Sequence, residues 1–406
     1  MTFESLQPKL GEYFDIESFF KRAHLTANPL AWFVDASGSG HNHFAIGERS
    51  VDFLPEALYT DIDQVSNPIL ENQRFYGLVT YEGKPSWFLA NSWLETDAAG
   101  VVTSLSGDWG FLAELPEVDE PGVVEFRSLE DSDLGGDWRH SKTEYRELIE
   151  ECQRMFAEGD VKQLCLTNLW ESRASIDEIS TWLRLLSTST SPYCGFLRVG
   201  GEVLISASPE CFISITDGHI KTSPIKGTRP RFEDVNMDEQ MRQELAASPK
   251  EIEENSTIAQ AVVDELVPVC KPNTAVLTES LVVRSFAQVH QLISTIEGEL
   301  LPEVNFREVL ATTFPAGSMT GFPKEVAVPI LERLEEGERG IYSGCFGFLE
   351  KGRVELGMVI RSLVKTPERI YIGAGGGLTR KSDPDAEVAE AWYKAKIVLE
   401  SIAWMP

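Results

Sequence analysis

The sequence predicts an α+β protein built mainly from antiparallel strands, and three observations support this class. Runs of β-branched and aromatic residues come in pairs separated by tight turns, as in "YCGFLRVGGEVLISAS" and "CFISITDGHIKT". Amphipathic helical stretches lie between groups of strands and do not alternate with single strands. The chain has no internal repeats. Such an order is typical of the α+β class and not of a series of βαβ units.

Composition limits the kinds of function that the chain can have. Its 406 residues suffice for two or three structural units, and 42% hydrophobic with 25% charged residues is ordinary for a soluble globular protein. No apolar run is long enough to span a membrane, and the six cysteines form no CxxC pair, so we expect a cytoplasmic protein without disulfides or structural zinc. The net charge of −28 argues against nucleic acid and membranes as partners.

The N-terminal third is predicted to be rich in strands. "PLAWFVDAS" and "NHFAIGE" flank the turn-like "GSGHN", and "RFYGLVTYEG" and "SWFLANSWLE" follow them. The acidic stretch at 115–141 contains glycines and is interpreted as a connection. We therefore expect an N-terminal β-rich subdomain at 1–137 and a second domain at 138–406.

The second domain has clearer signals for helices and strands. "TEYRELIEECQRMFAEGD" predicts an amphipathic helix that Gly159 ends, and the strand "VKQLCLTNLWE" follows. Two hairpins turn at Gly200-Gly201 and Asp217-Gly218. The remaining predictions are helices near 176–187, 237–247, 249–268, 304–312, 323–335 and 384–401, and strands at 342–350, 355–364 and 369–374.

Two pairs of glutamates have helical spacing. Glu251 and Glu254 in "SPKEIEEN", and Glu387 and Glu390 in "DPDAEVAEAWYK", are each three residues apart and so share one helix face. If the two faces meet, four carboxylates surround a hard cation, with Lys394 one turn beyond Glu390. Glutamates at this spacing are also common on solvent-exposed faces, so the residues alone leave both interpretations open.

Glu210 and Lys226 are candidates for acid and nucleophile. They lie 16 residues apart across one hairpin, so both side chains can face one cavity. Burial would lower the pKa of the lysine and make its amine nucleophilic. An ordinary cross-strand Glu–Lys pair is the simpler explanation of this spacing. His290 lies in the apolar, helix-like stretch "AQVHQLISTIEG", where a core histidine is the usual finding and a catalytic one the alternative.

The glycine run "YIGAGGGLTRKS" follows a predicted strand. It is neither a dinucleotide fingerprint nor a P-loop, because Leu378 and Arg380 occupy positions that those motifs reserve for glycine. The backbone N–H groups of Gly375 to Gly377 form either an anion-binding nest or a tight turn between strand and helix.

Taken in order, these motifs resemble those of the chorismate-utilising enzymes, which include anthranilate, aminodeoxychorismate, isochorismate and salicylate synthases. The resemblance spans about 143–400 and implies two large, mainly antiparallel sheets packed as a core sandwich with helices outside. The second domain would then be the chorismate-binding catalytic domain. The motifs are "GDVKQLCL", "SASPE", "PIKGTRPR", "SPKEIEEN", "VHQLISTIEG", "FPAGSMTGFPK", "RGIYSG", "MVIRS", "GAGGG" and "SDPDAEVAEAWYKA".

The resemblance also implies a role for each candidate residue. Glu254 and Glu387 would bind Mg²⁺ directly, with Glu251 and Glu390 acting through water or from further out. Glu210 would protonate the departing C4 hydroxyl, and His290 would lie near the ring. Chorismate is a dianion, so Mg²⁺ and nearby donors would have to reverse the negative field locally. The other substrate positions are Thr228, Ser318, Tyr342, Arg361, Gly375, Gly376, Gly377 and Lys394.

Two positions discriminate among the members of this family. Isochorismate and salicylate synthases have a lysine base where this chain has the pocket residue Gln163, and Lys162 would point to the opposite face of the strand. Most members have alanine where this chain has Lys226. Aminodeoxychorismate synthases resemble it in having lysine, which is proposed to attack C2 before ammonia adds at C4, for 4-aminobenzoate and folate synthesis. The segment 260–265, "QAVVDE", resembles the isochorismate branch instead.

The sequence contains no motif for producing ammonia from glutamine. The amidotransferase motif Gly-x-Cys-x-Gly is absent, because Ser343 stands where "YSGCFGF" would need its first glycine. We therefore expect ammonia from a separate glutamine amidotransferase subunit or from free ammonium. The alternatives are an anthranilate or isochorismate-type synthase and a non-catalytic chorismate-binding scaffold, and the intact Glu210, Glu254, Glu387 and Arg361 argue against the scaffold.

Overall fold

The computed structural model describes residues 7–35, 40–52, 73–109, 124–126, 135–159, 161–286 and 289–405. Residues 38–39 of the expected turn "GSGHN" and most of the connection at 115–141 lie outside these ranges. The strands are β1 (Leu30–Val34), β2 (Asn42–Val51), β3 (Arg74–Val79), β4 (Pro85–Thr96), β5 (Val102–Gly107), β6 (Glu125–Phe126), β7 (Gly136–Trp138), β8 (Gln163–Ser172), β9 (Tyr193–Val199), β10 (Glu202–Ser208), β11 (Cys211–Thr216), β12 (His219–Thr222), β13 (Ile225–Pro230), β14 (Val276–Ser285), β15 (Val289–Glu299), β16 (Gly321–Phe322), β17 (Cys345–Glu350), β18 (Arg353–Met358), β19 (Ser362–Lys365), β20 (Ile370–Leu378) and β21 (Ala403–Trp404).

The described strands form one antiparallel sheet that closes on itself, and the short pair β6–β21 stands apart from it. The α+β class and the antiparallel character that the sequence predicts are confirmed. Strands from the N-terminal third are part of this sheet, since β1 pairs with β9 and β3 pairs with β17. The proposed domain boundary after residue 137 stays a prediction.

The helices lie where helical periodicity and capping residues occur together. The helix over residues 142–158 has a reciprocal capping box between Ser141 and Glu144, and it ends at Gly159 in the left-handed conformation, as predicted. The helices are α1 (Ile16–His24), α2 (Lys142–Glu158), α3 (Glu178–Thr188), α4 (Val235–Ala247), α5 (Pro249–Leu266), α6 (Phe306–Thr313), α7 (Gly317–Thr320), α8 (Lys324–Glu335) and α9 (Pro384–Leu399).

Three clusters of buried side chains connect these helices to the sheet. Helices α2, α8 and α9 cover β8 and β20 through a cluster that includes Tyr145, Leu331 and Ala391. Helix α5 packs into the largest cluster through residues such as Ile258. Helices α1 and α3 contribute Phe20 and Trp182 to the third cluster. No helix in the described part of the chain is both long and apolar enough to cross a bilayer.

Three local predictions are wrong. The stretch around His290 is strand β15 and not a helix, because it pairs on its two sides with β12, β13 and β14. The strand predicted at 355–364 is two strands, since Arg361 lies between them with a φ of 52°. Strand β20 continues through Gly375 to Gly377, where these glycines pair with residues 165–167 of β8. They therefore form neither a nest nor a turn.

The buried ion pair between Arg339 and Glu335 joins helices α7 and α8 to strand β8. Arg339 lies with its Nε and Nη2 atoms 2.7 and 2.6 Å from the two carboxylate oxygens of Glu335. Its guanidinium also donates to the carbonyl oxygens of Met319, at 2.7 Å, and Cys165, at 2.8 Å. The backbone N–H of Thr167 donates to Glu335 at 2.8 Å. This network fixes α7 and β8 against the end of α8.

Replacing Arg339 with methionine tests this network. The change leaves the Glu335 carboxylate buried without its partner, so we expect the free energy of unfolding to fall by about 3–5 kcal/mol. Chemical denaturation measures the change. Lys396→Met removes one member of the exposed pair with Glu400 and serves as control, with an expected loss below about 1 kcal/mol. Equal losses in the two variants would contradict the assignment.

Candidate active site

Two helices begin beside the same strand, β20. The side chain of Ser248 accepts a hydrogen bond from the N–H of Glu251 at the start of α5, and Asp383 caps α9 in the same way. Each helix has proline in its first turn, which favours a helix start at that point. Glu251 and Glu254 lie in the first two turns of α5 and Glu387 and Glu390 in those of α9, together with the exposed Glu253 and Asp385.

The glycines of β20 provide space for these acids. A Cβ atom on Gly377 would lie 1.8 Å from Oε1 of Glu254, and one on Gly376 would lie 3.3 Å from Oε2 of Glu387. Glu254 of α5 thus lies against Gly377, and Glu387 of α9 lies against the neighbouring Gly376. Side chains at these positions would displace the acids, and this explains why glycine is required in an otherwise regular strand.

Each of the four glutamates lies near a different basic side chain, although Arg229 also pairs with Glu244, at 3.0 Å. Four negative and four positive charges make the group neutral, although the whole chain carries a net charge of −28. The pairs, with their N–O distances, are Lys226–Glu254 at 3.0 Å, Lys250–Glu387 at 2.5 Å, Lys394–Glu390 at 2.7 Å and Arg229–Glu251 at 3.6 Å.

The basic partners offset the effect of burial on the pKa to different extents in these glutamates. Burial raises the pKa of Glu251, and the Glu254 carboxylate adds to this rise. Burial likewise raises the pKa of Glu387 by more than Lys250 lowers it. At Glu390 burial acts in the same direction, but Lys394 outweighs it and the pKa falls to about 2. More positive charge near Glu251 and Glu387 would therefore stabilise the site.

The donors fit a hard divalent cation in kind. Carboxylate oxygens from the first turns of two helices are the kind of ligand that Mg²⁺ prefers. Among the described residues, no three acidic, histidine or cysteine side chains converge closely enough to hold a metal ion. The reason is that the carboxylates are turned towards ammonium and guanidinium groups. A cation in this place would have to replace some of those groups.

Lys226 is buried at the centre of the site. Its Nζ donates to the carbonyl oxygen of Ser318 at 3.0 Å and lies 3.0 Å from Oε1 of Glu254. Gln163 donates to the same carboxylate oxygen at 3.3 Å, and its own Oε1 is buried without a hydrogen-bond partner. Lys162 directly precedes β8 and is exposed.

The expectation that burial gives Lys226 a low pKa is wrong. Burial does act to lower the pKa, but the Glu254 carboxylate, together with Cys165 and Glu210, raises it by more. The side chain is therefore a charged ammonium in this arrangement. Its nucleophilicity depends on what neutralises Glu254.

Glu210 and Lys226 meet at Ser318. Glu210 is only 5% exposed, and burial raises its pKa to about 7 against the opposing effects of Lys226 and a hydrogen bond with the Ser318 side chain. The two side chains lie close enough for Lys226 to act on the pKa of Glu210, although β13 pairs with β15 and not with the strand that follows Glu210. A carboxyl group with this pKa can donate a proton at neutral pH.

Arg361 and Tyr342 lie beside the glycine strand. The Tyr342 ring packs on Gly373, where a Cβ would lie 2.1 Å from a ring carbon. Burial lowers the pKa of Arg361, whose guanidinium forms no hydrogen bond or ion pair within the described residues. A largely buried guanidinium without a partner is costly, so this position favours an anionic ligand.

Two other predicted site residues have different surroundings. His290 uses both ring nitrogens within the protein, with Nδ1 2.7 Å from the Ser285 hydroxyl and Nε2 3.1 Å from Asp238. These contacts tie β15 to α4. Thr228 is exposed on β13, opposite Gln291. Their roles near the substrate stay predictions.

Lys250 is a site residue that sequence reasoning missed. It directly precedes Glu251, and its position in the first turn of α5 was the available signal. Its side chain is 29% exposed, whereas that of its partner Glu387 is 4% exposed. The pair therefore connects α5 to α9 across the opening of the site.

Comparisons with known proteins identify relatives of the chain. The family model for the chorismate binding enzyme matches residues 127–400. Aminodeoxychorismate synthase of Streptomyces pristinaespiralis is 39% identical over 267 residues, which are 65% of this chain and 37% of that protein. Aminodeoxychorismate synthase component 1 of Escherichia coli is 32% identical over 281 residues, 68% of this chain and 62% of that protein. The matched part thus spans from about a third to less than two thirds of these relatives.

Other members of the family match to a similar degree. Anthranilate synthase component 1 of Saccharolobus solfataricus is 32% identical over 263 residues, 64% of this chain and 62% of that protein. Among solved structures, MenF, the menaquinone-specific isochorismate synthase from Escherichia coli, superposes with a TM-score of 0.79 at 19% identity, covering 97% of this chain and 92% of that one. At that identity the superposition shows the fold alone.

Replacing Gly377 with alanine tests the space around Glu254. The added Cβ would overlap the carboxylate, so we expect the free energy of unfolding to fall by roughly 1–3 kcal/mol. Gly376→Ala, with 3.3 Å to its nearest neighbour, serves as the milder control.

Combining Gly377→Ala with Glu254→Ala removes the group that the new Cβ meets. The double variant should therefore be more stable than the sum of the single changes predicts, as chemical denaturation of all four proteins would show. Strictly additive losses would mean that the glycine does not serve this carboxylate.

Proposed function

The chain belongs to the chorismate-binding enzyme family, and from this premise we propose that it replaces the C4 hydroxyl of chorismate by an amino group, giving 4-amino-4-deoxychorismate. The observation that carries the proposal is the buried Lys226, whose ammonium lies 3.0 Å from both Glu254 and the Ser318 carbonyl. The burial of this lysine at the centre of the site favours the role of a nucleophile over that of a charged surface residue. Relatives named aminodeoxychorismate synthase, at 32–39% identity, support the same choice.

Binding of the dianion would use the cationic groups beside β20. The unpaired guanidinium of Arg361 would hold one carboxylate of chorismate in a bidentate contact. Lys394, whose Nζ donates to the Gly375 carbonyl at 2.8 Å, would lie near the other. The ring would then be placed between Lys226 and Glu210.

A divalent cation is part of the proposal. Glu254 and Glu387 would hold Mg²⁺ directly, and Glu251 and Glu390 would do so through water. When bound, the ion would supply positive charge to the ring carboxylate as the C4–O bond breaks.

The first chemical step would use Lys226 and Glu210 together. The lysine amine adds to C2, the double bonds shift, and the C4–O bond breaks. The hydroxyl takes the proton of Glu210 and leaves as water. Because Lys226 is an ammonium while it faces Glu254, it must first give a proton to water, and it can do so once that carboxylate is neutralised or drawn away.

The second step would restore the enzyme. Ammonia adds at C4, the double bonds shift back, and the C2–N bond to Lys226 breaks to release the free amine. One proton of the new C4 ammonium group returns to the Glu210 carboxylate. The relative from Escherichia coli is named component 1, which supports a separate amidotransferase subunit as the source of ammonia, with free ammonium as the alternative.

Gln163 supports amination over hydration. An amide cannot act as a general base for water, and the neighbouring Lys162, which directly precedes β8, is exposed. The unpartnered Oε1 of Gln163 can accept a hydrogen bond from an incoming ligand.

Anthranilate synthesis is the second candidate function. The relative from Saccharolobus solfataricus, at 32% identity, supports it. In that reaction ammonia would enter at C2, and Lys226 would have no covalent role. The product therefore distinguishes the two functions.

Product analysis is the direct test. The purified chain is incubated with chorismate, Mg²⁺ and excess ammonium, and the products are separated and identified by mass spectrometry. We expect 4-amino-4-deoxychorismate. Anthranilate or isochorismate as the main product would overturn the proposal.

Lys226→Ala tests the nucleophile. The C4-aminated product should form roughly 10³-fold more slowly, because the covalent route is lost. Lys162→Ala removes the same charge from an exposed site and should retain the wild-type rate within about twofold. An unchanged rate in Lys226→Ala would show that this lysine is not the nucleophile.

The pH dependence of the reaction tests Glu210. Its acid form is required, and burial raises its pKa to about 7, so kcat/KM should fall as the pH rises through this value. Glu210→Gln should lower kcat on the order of 10²–10⁴-fold and remove this limb from the residual profile. A profile that is flat between pH 6 and about 8 in the wild type would contradict the assignment.

A further inference from the structure

Lys250 occupies a position where a metal ion would compete with it. Its Nζ lies 2.5 Å from Oε1 of Glu387, one of the two carboxylates that would bind Mg²⁺ directly. The carboxylate is almost fully buried, while the lysine side chain is 29% exposed. Of the four pairs at the site, the pair of Lys250 has the shortest N–O distance, and Lys250 is the most exposed of the four basic side chains.

We propose that Lys250 is a built-in competitor of the divalent cation: it holds α5 and α9 together before the metal arrives and leaves Glu387 when the metal binds. This inference rests on the metal role that the proposed function gives to Glu387. By competing for Glu387, Lys250 would lower the affinity of the site for the metal ion.

The charges at the site explain why one base must leave. The four acids and four bases already sum to zero, so a divalent cation adds two uncompensated positive charges. Lys226 is held by the Ser318 carbonyl and Lys394 by the Gly375 carbonyl. Lys250 has no comparable second contact among the described residues, and its flexible four-carbon side chain can turn into solvent.

The competition has a consequence for the order of binding. Without substrate, a cation must displace Lys250 and remain partly uncompensated, so its affinity is low. With Lys250 displaced, the group carries one uncompensated positive charge, which the negative charge of a bound dianion offsets. Metal and substrate are therefore expected to strengthen the binding of each other.

The structure offers a matched control in Lys381. It lies 2.5 Å from Glu253 and also links α5 to the segment before α9, but both side chains are more than half exposed. Lys381→Met removes the same charge from the same pair of elements without contacting the four carboxylates.

Metal titration without chorismate tests the proposal. Mn²⁺ is titrated into the wild type, Lys250→Met and Lys381→Met, and free Mn²⁺ is followed by electron paramagnetic resonance. We expect Lys250→Met to bind at least about tenfold more tightly than the wild type, and Lys381→Met to remain within about twofold. Equal or weaker binding by Lys250→Met, or no binding by any of the three proteins, would overturn the proposal.

A second measurement uses the wild type, because Lys250→Met leaves Glu387 buried without a partner and can fail to fold. Acetylation of individual lysines by a water-soluble reagent is followed by mass spectrometry with and without Mg²⁺. The labelling rate of Lys250 should rise several-fold with Mg²⁺, while that of Lys381 stays constant. An unchanged rate at Lys250 would overturn the proposal.

Neither measurement involves chorismate or a product. A chain that forms anthranilate would disprove the proposed reaction and leave both results as expected. A chain that forms the C4-aminated product without any effect of Lys250 would disprove the competition alone.

Discussion

The need to neutralise four carboxylates packed around one strand determines the rest of the site. Burying a single unpaired carboxylate is costly, and four of them can share a site only if positive charge is close to each. The chain meets this need with three lysines and one arginine taken from three separate elements. The glycines of β20 are the steric counterpart, because a side chain there would push the acids apart.

The same charge balance controls the reactivity of Lys226. Burial alone would make its amine neutral, yet the adjacent Glu254 keeps it charged. The resting site is therefore stable but unreactive at this atom. Burial raises the pKa of Glu210, which lies close enough to feel the charge of Lys226, to about 7, so its carboxyl group can donate a proton at neutral pH. The nearest charged groups therefore keep Lys226 protonated and leave Glu210 able to give up a proton near neutral pH.

Local sequence signals predict the helices and much of the site, and contacts distant in sequence account for what they miss. The capping residues and prolines before α5 and α9 place the glutamates on one face, and this can be seen in the sequence. The strand that contains His290 has apolar residues at helical spacing, so only its pairing partners decide its conformation. The break at Arg361 depends on a left-handed backbone without glycine. The partners of Lys250 and Lys226 are far along the chain, and no periodicity encodes them.

The capped starts of α5 and α9 have a consequence for how the family can vary in length. An α-helix turns by about 100° per residue, so an insertion between the cap and the first glutamate would rotate both acids of that helix away from β20. Insertions before Ser248 or Asp383 would leave the orientation of the acids unchanged, since the helix would restart at the same residue. The segment before Asp383 can therefore lengthen without turning the acids of α9, whereas α5 has no such loop, because Ser248 both ends α4 and caps α5; the three-residue intervals from Ser248 to Glu251 and from Asp383 to Ala386 have a fixed length.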